Sequence, residues 1–128
     1  MQVLLDTNAF LWWVTDDDKL SSTACSIISD PNNLIFFNIA SAWEIVIKYQ
    51  LGKLPLPEPA KSYIPDRVDH YGFIHLSINM KDVLEISNLE NHHKDPFDRL
   101  LIAQGRTHNL PILTIDEKFD LYDVDVIW

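Results

Sequence analysis

The chain has 128 residues, 47% hydrophobic and 23% charged, with a formal net charge of −9. That balance belongs to an ordinary globular chain long enough for one domain around one core, and it excludes disorder. It also excludes coating of nucleic acid by charge alone, which needs a basic surface, and every apolar stretch is too short and too interrupted by charge to span a bilayer.

The chain opens on "QVLLDTNAFLWWV". Val3–Leu5 is a short apolar run that reads as a buried strand, and Ala9–Val14 as a helix after it. Asp6 stands between them, where an ionised carboxylate is costly unless a partner compensates. A second helix is predicted over Ser22–Ser29, stopped by "DPNN", and it carries the single cysteine, Cys25, read as a small buried apolar residue. One cysteine forms no internal disulfide and suits a reducing compartment. No basic segment precedes the first apolar run, so no signal peptide is expected, and the cytoplasm is the expected location.

Leu34–Phe37 is the second strand. The clearest helix follows over Ser41–Leu51, where Trp43, Ile47 and Leu51 recur at spacing four and Gly52 is the stop. "SAWE" reads as a capping box, with Ser41 accepting from the amide of Glu44 in the first turn. "KLPLPEP" is a loop, because its prolines fix φ and remove donors. Helices are then expected near Ala60–Tyr71, Lys81–Leu89 and Pro96–His108, and strands at Phe73–Leu76, Ile112–Thr114 and Val124–Ile127. "DPFD" opens the last helix, with Asp95 as N-cap, Pro96 at the first helical position and Asp98 in the first turn. Alternating strands and helices predict a three-layer α/β/α sandwich: one domain over 1–128 with a central, mostly parallel sheet of about five strands.

In such sheets ligands bind beyond the carboxyl ends of the strands. Asp6 follows the first strand, Glu44 the second, and Asp116 lies two residues past Thr114 at the end of the fourth. If strands one and four are neighbours, these three acids share a rim, and Asp98 joins them if its helix begins there. Each also has a structural reading: Asp6 as a cap, Glu44 in the capping box and paired with Lys48, Asp98 as first-turn acid, Asp116 as a turn residue. Four clustered carboxylates repel unless cations sit among them. Mg²⁺ or Mn²⁺, one ion or two, suits oxygen ligands, and such ions activate water for attack on a phosphodiester.

Four stretches, "LLDTNAFLWW", "IASAWEIVIKYQLGKLPLP", "HKDPFDRLLIAQ" and "ILTIDEKF", run from residue 4 to residue 119 in an order and spacing that resembles the PIN-domain family. Within it the chain is similar to toxin ribonucleases of the VapC type. The resemblance implies a metal-dependent endoribonuclease with acids at Asp6, Glu44, Asp98 and Asp116, leaving 5′-phosphate and 3′-hydroxyl ends. It further implies supporting roles for Thr7, Asn8 and Thr114, a cognate antitoxin partner and a homodimer. Gly105 and Asn109 depart from the family's usual alanine and glycine.

Asp98 is chosen over Asp95 as the metal ligand, and Asp95 as the cap. His93 is read as a contact to substrate or to a ligand, and Lys48 and Arg99 as cations that touch RNA phosphate or pair with the acids. Trp12, Trp13 and Trp43 are read as packing residues, although they could stack bases. Two rivals fit less well. An aspartyl-phosphate enzyme would carry a second aspartate where Asn8 stands. A non-catalytic module that kept only the fold would be expected to have lost one of the four acids.

Overall fold

In the computed structural model, which describes residues 1–128, five short strands form one parallel sheet in the order β3-β2-β1-β4-β5. The strands are β1 (Gln2–Leu5), β2 (Leu34–Asn38), β3 (Ile74–Leu76), β4 (Ile112–Leu113) and β5 (Val126–Ile127). Between them run α1 (Thr7–Val14), α2 (Ser22–Ser29), α3 (Ile39–Gln50), α4 (Ala60–His70), α5 (Met80–Glu85) and α6 (Pro96–Thr107), with 3₁₀ turns at Ile86–Asn88 and Glu117–Leu121. No helix is long and apolar enough to cross a membrane.

β1 shows why the sheet is covered on both faces. Val3 and Leu5 pack into one apolar cluster, with Ala9 and Phe10 of α1, Ile28 of α2, Ile45 of α3 and Val68 of α4. Leu4, pointing the other way, packs with Leu101 and Ile102 of α6, Phe119 and Tyr122. A continuous apolar run serves both cores because successive strand residues face opposite sides. The expected three-layer sandwich is the observed one.

The details that differ have local causes. The helix expected over Lys81–Leu89 is α5 followed by a 3₁₀ turn. α3 begins two residues earlier than expected, and its N-cap is Asn38, not Ser41. The spacing-four repeat on α3 does not mark its buried face: Trp43 is 62% exposed and Leu51 is exposed, while Ile45 carries the burial. Cys25 is half-buried against the core rather than enclosed.

Gly105 has a structural reason. A Cβ there would lie 2.9 Å from Val124 Cγ2 and 3.0 Å from Ile112 Cδ1, so glycine lets α6 approach β4 and the segment before β5. Asn109 adopts φ 53°, the left-handed conformation that follows many helix ends. Asp82, fully buried on α5, ties the two outer helices together by accepting from Gln104 and Thr107 of α6, with His108 Nε2 3.0 Å away.

Candidate active site

The chain leaves β1 toward β2 on one side, while β4 pairs with β1 on the other, so the carboxyl ends of β1 and β4 flank the point where the winding reverses. An open α/β sheet forms its ligand crevice at such a point. The crevice is a small cavity, about 40 Å³, lined by Asp6, Thr7, Asn8, Asn38, Glu44, Phe97, Asp98 and Asp116 among others. All four acids predicted from the sequence therefore line one pocket.

Asp6 ends β1 and caps α1, accepting from the Ala9 amide at 2.7 Å. Its other oxygen accepts from the Thr114 hydroxyl at 2.5 Å, and that same hydroxyl accepts from the Asp116 amide at 3.0 Å. One buried hydroxyl at the end of β4 thus orients one carboxylate and fixes the backbone of another. Asp6 is only 7% exposed. Burial pushes its carboxyl up to about 6, against the lowering effect of the Thr114 and Ala9 hydrogen bonds, and the charges of Asp98 and Asp116 add to the rise.

Asp98 stands in the first turn of α6, where Asp95 is the cap and accepts from the amides of Phe97 and Asp98 at 2.9 and 3.1 Å. Burial, and then the negative charge of Asp95, push the Asp98 carboxyl up to about 6, while His93 pulls it down. The His93 ring holds Asp98 through Nε2 at 3.2 Å and Tyr122 through Nδ1 at 2.7 Å. Asp95 does not line the pocket; Asp98 does.

Glu44 lies in the second turn of α3, not the first, because the helix starts at Ile39. The expected capping box is absent: Ser41 Oγ instead lies 3.0 Å from Thr7 Oγ1, and the Thr7 hydroxyl donates to Glu44 at 2.7 Å. Lys48 Nζ meets the other Glu44 oxygen at 3.0 Å. Asn8 lines the pocket and is exposed.

Of the two roles open to Arg99, pairing with the acids is not the one it adopts. Its guanidinium donates to the carbonyls of Glu90 and His93 and to the Tyr122 hydroxyl, at 2.9, 3.3 and 3.1 Å. It fastens the loop that carries His93 and does not reach the acids. Trp43 corrects the packing expectation: mostly exposed, it leans edge-on against Phe97 with ring centroids 5.2 Å apart. Trp12 and Trp13 do pack against the core.

Three site residues escaped the sequence reading: Asn38, Ser41 as a neighbour of Thr7, and Tyr122. Asn38 could have been found by the argument that found Asp6, since it directly follows an apolar strand run. Tyr122 has no local signal, because its partner His93 is 29 positions away.

The donor set fits a hard divalent cation: all carboxylate oxygen at the rim, with two acids raised partly by the charge of their neighbours. Lys48 is engaged with Glu44 and Arg99 with the loop. No group of three or more His, Cys, Asp or Glu side chains is arranged to hold an ion directly. Mg²⁺ keeps several waters and is commonly held through one or two carboxylates.

Comparison with known proteins bears on the fold and the family. Ribonuclease VapC16 of Mycobacterium tuberculosis is 52% identical over 54 residues, an alignment that covers 42% of this chain and 38% of that protein's length. Among solved structures, VapBC2 from Rickettsia felis bound to a DNA fragment from its promoter matches with TM-score 0.73 at 15% identity, over 99% of this chain and 98% of that one. VapBC-1 from nontypeable Haemophilus influenzae matches with TM-score 0.70 at 16% identity, over 99% and 97%. The family model described as the PIN domain matches residues 3–125, nearly the whole chain, and the chain belongs to that family.

Proposed function

We propose that the chain is a divalent-metal-dependent endoribonuclease that acts in the cytoplasm as the toxin of a toxin–antitoxin pair. The observation that carries this reading is the pocket at the carboxyl ends of β1 and β4, which Asp6, Glu44, Asp98 and Asp116 all line and no lysine or arginine does. The stretch shared with a protein named as a ribonuclease, and the likeness in fold to VapBC assemblies, support the substrate class and the kind of partner.

Asp6, Asp98 and Asp116 are the residues to hold one or two Mg²⁺ or Mn²⁺ ions, with Glu44 beside them. A bound ion supplies a water of lowered pKa and charge stabilisation for the phosphodiester oxygens. The chain's own part is orientation. Thr114 aims Asp6 and anchors Asp116, His93 aims Asp98, and Thr7 with Lys48 aims Glu44. Partners of this kind fix the direction of a ligand's lone pairs and tune its basicity. Asp6 and Asp98 must lose their protons before they bind a cation, so metal loading strengthens as pH rises through about 6.

The reading also includes an antitoxin encoded alongside the chain and a homodimer, both by likeness to the family. The test is cleavage of labelled total RNA by the purified chain, with Mg²⁺ or Mn²⁺ and with chelator, beside Asp98→Asn. Cleavage that needs both the metal and Asp98 supports the nuclease, and the fragment ends identify its preferred RNA. Equal background in every lane would sink it in favour of a protein-binding module.

A further inference from the structure

Asn38 closes the carboxyl end of β2 and is fully buried, at 0% exposure. Its two terminal atoms have different fates. Oδ1 accepts from the Ala40 amide at 2.7 Å and caps α3, which fixes the orientation of the carboxamide. Nδ2 therefore carries the hydrogens, and it has no hydrogen-bond partner. A buried donor without a partner costs folding free energy. Capping does not explain the choice of residue, because serine, threonine or aspartate would cap α3 as well and leave no N–H behind.

Asn38 lines the same pocket as Asp6, Asp98 and Asp116. Of the neighbouring side-chain donors, the Thr7 hydroxyl and Lys48 are committed to Glu44 and the Thr114 hydroxyl to Asp6, while Asn8 and Ser41 also line the pocket. An anion alone would be repelled by the carboxylates, and a cation alone offers the amide no acceptor. Both demands are met by an anionic oxygen that arrives with a cation, as a phosphate does beside a divalent ion. The neutrality of the donor matters too. A lysine or arginine would pair with the aspartates and compete with the cation, whereas a carboxamide donates without adding charge.

We infer that Asn38 Nδ2 donates to a non-bridging oxygen of the phosphate to be cleaved. The identity of that phosphate as RNA rests on the ribonuclease reading above; the buried, unpartnered donor does not.

The test is calorimetric titration of the full chain with Mg²⁺ alone, and with uridine 5′-monophosphate at saturating Mg²⁺. Wild type is compared with Asn38→Ser and Asn38→Asp, and cleavage of a short single-stranded RNA is a second readout. Both substitutions keep an N-cap, and Asn38→Asp also keeps the volume, so it carries the test if the serine variant fails to fold. The expected result is Mg²⁺ affinity within about twofold of wild type for Asn38→Ser and tighter for Asn38→Asp. Nucleotide affinity then falls at least about fivefold in both, and kcat falls about 100-fold, the size of effect seen when one positioned donor is removed. A purely structural role would not move metal and phosphate affinity in opposite directions. Unchanged nucleotide affinity and kcat in both variants would overturn the inference. So would a loss of Mg²⁺ affinity in step with the nucleotide, or no nucleotide binding by wild type. Asn38-dependent nucleotide binding without RNA cleavage by wild type would uphold the donor and overturn the ribonuclease reading.

Discussion

Asp6→Asn should make the metal-free protein more stable at neutral pH while abolishing its activity. The Asp6 carboxyl titrates at about 6 in the folded chain against 3.8 as the ordinary value, a difference of about 2 units, or about 3 kcal/mol. The folded state holds its proton more tightly, so the stability present below pH 3.8 is lost as pH rises, and the full penalty stands above about 6. Asparagine cannot ionise and still caps α1 through the Ala9 amide. It replaces the oxygen that accepts from Thr114 with an NH₂ group, a loss of about 1 kcal/mol. The net expectation is a gain of about 2 kcal/mol at pH 8 that vanishes or reverses slightly by pH 4. Urea unfolding with chelator, stepped through that range, measures it. A variant less stable than wild type at pH 8, or a difference that does not change with pH, refutes the reasoning. Saturating Mg²⁺ should narrow the gap, because it stabilises only the chain that binds it.

Three further outcomes follow from the same contacts. Cleavage at limiting Mg²⁺ should climb steeply with pH up to about 6 as Asp6 and Asp98 ionise, and more Mg²⁺ should move the rise to lower pH; a profile flat across that range counts against the paired acids. Tyr122→Phe removes the hydroxyl that Arg99 and His93 both meet, so thermal unfolding should show a loss of about 1–3 kcal/mol. Its cleavage rate should drop with it through the loosened His93–Asp98 contact, and an unchanged rate would detach that network from the site. Gly105→Ala should destabilise by up to about 2 kcal/mol in the same assay, because an overpacking cost of about 1–3 kcal/mol against Val124 and Ile112 outweighs a helix-propensity gain of about 1 kcal/mol.

The strands and the acids near their ends were within reach of the sequence because they rest on local signals, whereas the pairing of β1 with β4, which brings the acids to one rim, was only a condition until the structure showed it. Short apolar runs end in acids at Asp6, an acid lies just past the Ile112–Leu113 strand at Asp116, and "DPFD" states its own cap. The start of α3 was not, since Asn38 and Ser41 are both good caps three residues apart and only the length of β2 decides between them. Trp43 misled for a related reason: its spacing-four repeat is a sound helix signal but does not say which face is inward. The direction of Arg99 depends on Tyr122, 23 positions on, and a contact of that range leaves no trace in local pattern. Gly105 reads as a weak point in a helix until Val124 and Ile112 are seen against it.

The most direct measurement is titration of the metal-free chain with Mn²⁺ at pH 7, followed by calorimetry and by proton release, beside Asp6→Asn and Asp98→Asn. The pocket predicts one or two saturable sites in wild type, fewer protons released at pH 7 than at pH 6, and loss of the sites in both folded variants. Wild-type binding that survives both substitutions, or no saturable binding at all, would contradict the claim that these carboxylates are gathered to hold a divalent ion.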